Sequence, residues 1–235
     1  MSKSSVHPAR PHPRATSTKL RPTSWTIGLA AAVAILLAAG LIWLSQRAAT
    51  PPAPVLADGR TRGAPDAPVV IEEWADFQCP ACRLFALGPT RQVIDQRIAS
   101  GQVRLIFHNF AFLGPESETA AVAAECAGEQ GRFWEYHDKL YLEQAGENRG
   151  AFNRANLERF AAEVGLDGQA FAACLDDSQR LAAVREERRA GQAQGINSTP
   201  TLIINGQVVR GVPRPDQLAQ LIDQAAAQAG AGAPQ

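Results

Sequence analysis

Residues 69–82 of this chain read VVIEEWADFQCPAC, an apolar run with two glutamates that leads directly into a Cys-x-x-Cys motif. The run from Val69 to Phe77 predicts a buried strand, and the pattern from Leu84 to Ile98 predicts a helix. Pro80 suits the first turn of that helix, because a missing N–H costs nothing there. A second strand predicted over Val103–Phe110 completes a strand–helix–strand unit, which normally joins two parallel strands.

The motif Cys79-Pro80-Ala81-Cys82 places its first sulfur where the helix begins. Unpaired backbone N–H groups and the positive end of the helix dipole favour thiolate over thiol there. Cys79 is therefore predicted to be the nucleophile, and Cys82 the shielded partner that resolves mixed disulfides. The same spacing also occurs in half of a zinc site. His108 and His137 are isolated and more typical of strand or core residues, so no metal site is predicted.

The rest of the chain predicts an α/β plan that is interrupted by helices. Apolar spacing over Glu116–Ala193 predicts a helical block, with Ser117 as a cap of its first helix. Asn205-Gly206 predicts a β-hairpin of Thr201–Ile204 and Gln207–Arg210, because this dipeptide favours the tight turn that joins two strands. A last amphipathic helix contains residues 218–225.

Three motifs in combination resemble one family. They are the stretch Glu73–Cys82, the segment Phe133-Trp134-Glu135-Tyr136-His137 and the segment Thr199-Pro200-Thr201. The set is similar to the membrane-anchored, DsbA-like branch of the thioredoxin superfamily, over about residues 63–222. The resemblance implies a thioredoxin fold with an inserted helical subdomain. It also implies thiol:disulfide oxidoreductase activity on exported protein thiols, with no cofactor beyond the two cysteines.

The resemblance assigns further site residues. Pro200 matches the family's cis-proline, which faces the active-site disulfide and turns the Thr199 backbone towards an extended substrate. Thr199, Pro200 and Gln78 are accordingly expected to bind substrate. Glu73 matches the buried acid beneath the disulfide, where burial should raise its pKa and let it exchange protons with Cys82. Without the motif, Pro200 could equally begin a strand, and Glu73 could be solvated at a strand end.

The dipeptide between the cysteines leaves the direction of electron flow open. Pro80-Ala81 differs from the Pro-His of the best-known strongly oxidising members, so no imidazolium stabilises the Cys79 thiolate. The main hypothesis is a disulfide donor to exported proteins that a DsbB-like or VKOR-like membrane oxidase reoxidises. A thiol reductase or disulfide isomerase is one alternative, and a metal-binding thiol module is another.

A second cysteine pair lies in the predicted helical block. Cys126 and Cys174 each fall on the apolar face of a predicted helix, and an exported domain permits a structural disulfide between them. We predict that bridge; two buried free thiols, or a second redox pair that serves Cys79, are the alternatives.

The N-terminal region carries a membrane signal. Residues 25–45 contain no charge, and 17 of these 21 residues are apolar, enough for a helix of about 30 Å. Five cations and no acid precede this run, which favours a cytoplasmic N-terminus and an extracytoplasmic catalytic domain. We therefore predict a single-pass cell-membrane protein; a cleaved signal peptide is the alternative.

Charge and composition set the remaining boundaries. Six of the 23 Lys and Arg residues precede the first acid, Asp58, so the rest of the chain has 17 cations against 23 anions, and no nucleic-acid partner is expected. The predicted segments are a basic cytoplasmic tail (1–24), the transmembrane anchor (25–45), a Pro/Ala linker (46–66), the DsbA-like thioredoxin domain (67–229, with its helical insertion at about 114–194) and a flexible tail (230–235).

Overall fold

A computed structural model describes residues 59–231 of the chain. The predicted cytoplasmic tail and membrane anchor, together with most of the linker, lie outside the described residues. Between residues 59 and 231, no helix has both the length and the apolar character that a bilayer crossing requires.

Five strands of the described region form one sheet, in the order β1-β3-β2-β4-β5. Their bounds are β1 (Thr61–Arg62), β2 (Val69–Ala75), β3 (Val103–Asn109), β4 (Thr201–Ile204) and β5 (Gln207–Arg210). β2 and β3 are parallel, as the strand–helix–strand pattern predicts, and the other three pairs are antiparallel. Glu73 in β2 lies opposite Phe107 in β3 and Leu202 in β4.

Eight helices accompany the sheet in the same region. They are α1 (Pro80–Leu87), α2 (Pro89–Ala99), α3 (Pro115–Glu129), α4 (Phe133–Glu143), α5 (Arg154–Glu163), α6 (Gly168–Leu175), α7 (Ser178–Ala193) and α8 (Pro215–Ala231). Helices α3–α7 all lie between β3 and β4 in sequence, so they form the inserted helical subdomain of a thioredoxin-like α/β fold. α2 and α8 contact each other and the strands β3 and β2 respectively.

Alternation along the strands gives the sheet two covered faces. Ile71, Glu73 and Phe107 are fully buried on the face that α4 covers through the ring contacts of Phe107 with Trp134. On the opposite face, Trp74 packs against α7, where a Cβ added to Gly191 would lie 2.6 Å from the indole ring. The strand β2 is therefore buried on both faces at its active-site end, from Glu73 to Ala75, whereas Val70 and Glu72 are partly exposed.

The helix predicted over Leu84–Ile98 is interrupted at Gly88. The proline at position 89 lacks an N–H and disfavours helical backbone at the preceding residue. Gly88 accordingly adopts extended angles (φ −94°, ψ −177°) and separates α1 from α2. A Cβ at this position would lie 2.3 Å from the carbonyl oxygen of Leu84, so glycine is required for the close approach.

Three other boundaries differ from the sequence predictions. Thr61–Arg62 belongs to the sheet as β1 rather than to the linker, because it pairs with Leu105 and Ile106 of β3. Ser117 does not cap α3: the helix begins at Pro115 after Gly114, and Ser117 is buried. Helix α8 continues to Ala231, two residues beyond the predicted end of the domain.

Candidate active site

Cys79 is the N-cap residue of α1, and the loop that leads to it is fixed by hydrogen bonds. Its backbone N–H donates to the Asp76 carbonyl at 3.0 Å, and its own carbonyl accepts from the Arg83 N–H at 3.1 Å. The side-chain amide of Gln144 donates to the carbonyls of Phe77 and Cys79 at 2.7 and 3.2 Å. The sulfur is thus held at the helix start that the sequence predicts.

Cys79 and Cys82 are both free thiols, and only the first is accessible. Cys79 keeps 8% of its surface exposed, whereas Cys82 has none. An incoming sulfur can therefore reach Cys79 but not Cys82. Solvent access therefore distinguishes the nucleophile from the resolving cysteine more clearly than their positions in the motif do.

The pKa of Cys79 is lowered to about 6, chiefly by a hydrogen bond from the Cys82 side chain. Thr199 and the backbone N–H groups of Cys82 and Ala81 lower it further, against the opposing effect of burial. Sequence reasoning attributed the thiolate's stabilisation to the helix start alone, and it missed the larger contribution of the second thiol. Burial raises the pKa of Cys82 well above the ordinary cysteine value, and the neighbouring Cys79 adds to that shift.

Glu73 lies beneath the cysteine pair on β2. Its side chain is fully buried, and neither carboxyl oxygen has a hydrogen-bond partner within residues 59–231. Burial raises its pKa to about 7, although Arg91 opposes the shift, and its charge in turn raises the pKa of Cys82. Glu72 faces the other side of the sheet and pairs with His108 at 3.3 Å, as strand alternation predicts.

The Thr199–Pro200 peptide bond is cis, as the motif predicts. The loop that contains this bond lies close to the active-site cysteine. The Cys79 thiol donates a hydrogen bond to the Thr199 carbonyl at 3.4 Å. The Thr199 hydroxyl is buried and has no hydrogen-bond partner in the described structure. Since a thiolate is a much stronger hydrogen-bond acceptor than a thiol, this hydroxyl is available to donate to the ionised form of Cys79.

Gln78 does not present its side chain to a substrate, contrary to the sequence prediction. It is fully buried, and its amide nitrogen donates to Ser117 Oγ at 2.8 Å. Its amide oxygen accepts from the Asn148 backbone N–H. The residue therefore anchors the active-site loop to the helical subdomain, a structural role that the sequence prediction did not include.

Asp76 is a further anchor that the sequence interpretation overlooked. Its carboxylate accepts from the Gln78 N–H and the Ser117 hydroxyl through one oxygen, at 2.8 and 2.7 Å, and from the N–H groups of Phe112 and Leu113 through the other. The sequence feature that could have indicated this role is the position of Asp76 near the end of the predicted strand, three residues before Cys79. Apart from Gln78, its partners lie more than 35 residues away, so the local sequence could not identify them.

Cys126 of α3 and Cys174 of α6 form the predicted disulfide, with a Cα–Cα distance of 5.7 Å.

The two histidines of the described region are also placed as expected: His108 lies on β3, and His137 is fully buried in α4. Within residues 59–231, no group of three or more His, Cys, Asp or Glu side chains is arranged to hold a metal ion.

A family model described as thioredoxin matches residues 56–224. The chain belongs to this thioredoxin family. Among curated relatives, the probable disulfide bond formation protein D of Bacillus anthracis is 29% identical over 165 residues, covering 68% of this chain and 75% of the relative. The Na(+)/H(+) antiporter NhaA 3 of Salinispora tropica is 32% identical over 148 residues, but the chain spans only 21% of that relative's length.

Solved structures show the same fold. Oxidised BdbD from Bacillus subtilis has a TM-score of 0.67 at 24% identity, covering 73% of this thioredoxin-family chain and 96% of the BdbD chain. A thioredoxin-like oxidoreductase from Silicibacter pomeroyi has a TM-score of 0.61 at 29% identity, with coverages of 71% and 91%. Together with the relatives, they identify this family member as a thiol:disulfide oxidoreductase of the DsbA/BdbD type.

Proposed function

We propose that this oxidoreductase donates disulfides to exported proteins, with Cys79 as the nucleophile and Cys82 as the resolving thiol. The placement of Cys79 supports this direction: its sulfur lies at the N-terminus of α1 beside Thr199, in surroundings that favour the thiolate and lower its pKa to about 6. A stabilised thiolate favours the reduced state of the enzyme, so the Cys79–Cys82 disulfide is correspondingly easier to reduce and a stronger oxidant.

The first step begins from the oxidised enzyme. A substrate thiolate attacks the Cys79 sulfur, the Cys79–Cys82 bond breaks, and the electron pair leaves on Cys82. Because the Cys82 pKa is raised, this leaving sulfur needs a proton, and Glu73 with its pKa of about 7 can supply one. The product is a mixed disulfide between Cys79 and the substrate.

The second step releases the product. Another substrate thiolate attacks the substrate sulfur of the mixed disulfide, and Cys79 leaves as a thiolate. The substrate has then lost two electrons, and the cysteine pair has gained them. The backbone of Thr199 and Pro200 lies next to Cys79 and is the proposed docking edge for the substrate segment, by pairing of extended backbones.

The catalytic domain acts outside the cytoplasm in this proposal, held by a membrane helix over residues 25–45. The apolar run and the preceding cations support this topology. The Cys126–Cys174 bridge also supports it, because structural disulfides persist in oxidising compartments. A membrane oxidase of the DsbB or VKOR type would return the reduced cysteine pair to the disulfide form.

Oxidation of a reduced, unfolded model protein by the purified enzyme tests the function. We expect wild type to form disulfides catalytically and Cys79→Ser to be inactive; equal rates would refute the proposal. The equilibrium potential against glutathione tests the direction. A potential tens of millivolts above that of thioredoxin, about −270 mV, supports a donor, and a value near thioredoxin's indicates a reductase.

Cysteine labelling in intact cells tests the topology. A single cysteine placed at a surface position of the catalytic domain, in a Cys79→Ser/Cys82→Ser background, should react with a membrane-impermeant maleimide. A cysteine placed in residues 1–24 should react only after the membrane is permeabilised. The reverse labelling pattern would contradict the proposed orientation.

A further inference from the structure

Phe112 is a large apolar residue that remains exposed, with 41% of its surface accessible to solvent. It lies in the loop between β3 and α3, and its ring packs on that of Phe110 with centroids 5.4 Å apart. Its backbone N–H donates to the Asp76 carboxylate at 2.8 Å, which fixes the loop beside the end of β2. The exposed ring is therefore held in a defined place at the active-site edge of the sheet.

Phe112 forms one wall of a cavity of about 420 Å³. The residues that line this Phe112 cavity are Phe110, Phe112, Gln192, Gly195, Ile196 and Asn197. None of the six is charged. Phe110 and Ile196 are buried with Trp74 in one apolar cluster, so the inner part of the cavity is apolar and well supported. The volume falls in the range of about 300–1,000 Å³ that is typical of ligand sites.

Both walls of the Phe112 cavity connect directly to the exchange site. On one wall, Asn197 lies two residues before Thr199, whose carbonyl is 3.4 Å from the Cys79 sulfur. On the other wall, Asp76 links Phe112 to Cys79, because its carboxylate accepts from the first N–H and its carbonyl accepts from the second, at 2.8 and 3.0 Å. Two residues of extended chain span only about 7 Å. The cavity is therefore a close neighbour of the nucleophile.

A substrate polypeptide that is bonded to Cys79 has to leave the sulfur along the neighbouring surface. Three extended residues reach about 10 Å, so a side chain within three residues of the substrate's cysteine can enter the Phe112 cavity. The substrate backbone can meanwhile run along Thr199 and Pro200. An unfolded protein exposes the apolar side chains that its folded form buries, and these side chains match the uncharged lining.

A second apolar surface also adjoins Cys79, on α1. Its cavity has a volume of about 220 Å³ and is lined by Pro80, Arg83, Leu84, Leu87 and Gly88. This cavity is about half as large as the Phe112 cavity, and Arg83 adds a charge to its lining. Its residues come from α1 and the glycine that follows, whereas the Phe112 cavity shares its loop with Thr199. Size, charge and continuity with the Thr199 backbone all favour the Phe112 cavity.

We propose that the Phe112 cavity is a specificity subsite for an uncharged apolar side chain within three residues of the substrate's cysteine. The inference rests on the proposed function and deepens it, because it names the substrate feature that the enzyme recognises. A docked side chain covers the Phe112 ring and removes both apolar surfaces from water. Backbone pairing gives affinity for any extended segment, whereas a pocket for a side chain gives specificity.

The oxidation of short peptides tests this proposal. The parent peptide consists of glycine and serine with a single cysteine, and the others carry one leucine at each position from three before to three after the cysteine. The second-order rate of reaction with the Cys79–Cys82 disulfide is divided by the rate of the same peptide with glutathione disulfide, which corrects for thiol reactivity. We expect leucine at one or more positions to raise the corrected wild-type rate on the order of tenfold over the parent, because small apolar groups in pockets contribute about 10- to 200-fold.

Phe112→Ser removes the apolar wall of the cavity and should reduce the leucine preference to within twofold. The matched control is Leu84→Ser, which replaces an exposed apolar side chain on the other surface beside Cys79. This control should retain the tenfold preference. A preference that is lost in Leu84→Ser and kept in Phe112→Ser would place the subsite on α1 and overturn the proposal.

Gln192→Glu gives a second measurement that leaves the aromatic wall intact. Gln192 is an exposed residue of α7 that lines the cavity. The new carboxylate should slow the leucine peptide at the sensitive position and speed the corresponding lysine peptide by about twofold to threefold at low ionic strength. Lysine at the insensitive positions should gain less. Equal changes at every position would show general attraction to the enzyme and would contradict binding in the cavity.

The outcomes also distinguish this inference from the proposed function. If wild type oxidises all peptides at similar corrected rates, the function stands and the subsite fails. If wild type oxidises neither the peptides nor a reduced model protein, the proposed function fails. A leucine preference that Phe112→Ser abolishes and Leu84→Ser retains supports both.

Discussion

At the scale of single residues, the site works through an asymmetry between two sulfurs three positions apart. Cys79 is accessible and acidic, and Cys82 is buried with a raised pKa. Each thiol shifts the pKa of the other in the opposite direction, because the Cys82 S–H stabilises the Cys79 thiolate and that thiolate disfavours a second charge. The pair therefore holds one negative charge at neutral pH, on the sulfur that a partner can reach.

The acidity of Cys79 gives the first prediction. The rate of its alkylation by iodoacetamide should rise with pH along a single titration centred near pH 6, because only the thiolate reacts. Thr199→Val should move the midpoint upwards by about one unit, since a hydrogen bond to a charged group contributes roughly 1.5–3 kcal/mol and the site is partly solvated.

The matched control for that shift is Thr201→Val. Its hydroxyl donates to the Ser198 carbonyl at 2.7 Å, so this substitution perturbs the same loop without removing a donor to the sulfur. An equal upward shift in both variants would show that loop geometry, and not the Thr199 hydroxyl, sets the Cys79 pKa.

At the scale of elements, the site depends on how closely helices approach the sheet and one another. α7 packs against β2 through Gly191, and the active-site loop is tied to α3 through Asp76 and Ser117. α3 is in turn linked to α6 by the Cys126–Cys174 disulfide. The helical subdomain therefore stabilises the loop that carries the nucleophile.

Gly191→Ala provides the second prediction. Its new methyl group would lie 2.6 Å and 3.0 Å from ring atoms of Trp74 and Phe110, so we expect a loss of about 1–3 kcal/mol in the free energy of unfolding. Gly168→Ala is the matched control, because that helical glycine has open space around its Cβ position and should be neutral or stabilising by about 0.5 kcal/mol. Urea denaturation measures both; equal stability of the two variants would contradict the close packing of α7 on β2.

The third prediction concerns the second cysteine pair. Cys126→Ala/Cys174→Ala removes a cross-link between positions 48 residues apart, so the free energy of unfolding should fall by about 2–4 kcal/mol. Oxidation of a model substrate should keep its wild-type rate at temperatures where the variant is folded, because Cys79 and Cys82 are untouched. A folded variant with a greatly reduced rate would instead indicate a redox role for this pair.

At the scale of the whole molecule, folding buries Glu73 in a site where its carboxyl group ionises less readily than in water. Glu73 has a pKa of about 7 in the folded protein against 4.5 as the ordinary value, so the folded state binds more protons than the unfolded state between these limits. The stability that this group contributes is complete below about pH 4.5 and is lost as the pH rises through 7. The oxidoreductase thus keeps, at a cost in stability, a proton donor where Cys82 requires one.

The fourth prediction follows from this fall in stability with rising pH. Between about pH 5 and pH 8, wild type should lose on the order of 2–3 kcal/mol of stability relative to Glu73→Gln, because glutamine cannot ionise. Comparing the two proteins cancels the titration of all other groups. Urea denaturation of the reduced proteins at both pH values measures the difference, and parallel stability curves would show that Glu73 has an ordinary pKa.

The sequence by itself determined β2–β5 and the cysteine motif, because these depend on local patterns: apolar runs, the spacing of two cysteines, and Asn205-Gly206 in a hairpin. The cis bond before Pro200 was expected from the family resemblance, and the structure contains it. The family resemblance likewise assigned the buried acid to Glu73, and its side chain is fully buried. The interruption at Gly88 was equally local and could have been predicted from the proline that follows it.

Only the tertiary structure decided which groups meet around the cysteines. The burial of Gln78 and the contacts of Asp76 with Ser117 join segments more than 30 residues apart, and no local pattern encodes such distances. The same holds for the environment of His137, whose sequence motif was visible but whose two nitrogens acquire different surroundings only when α4 covers the sheet. Periodicity specifies which side of an element is buried, whereas packing between distant elements specifies its partners.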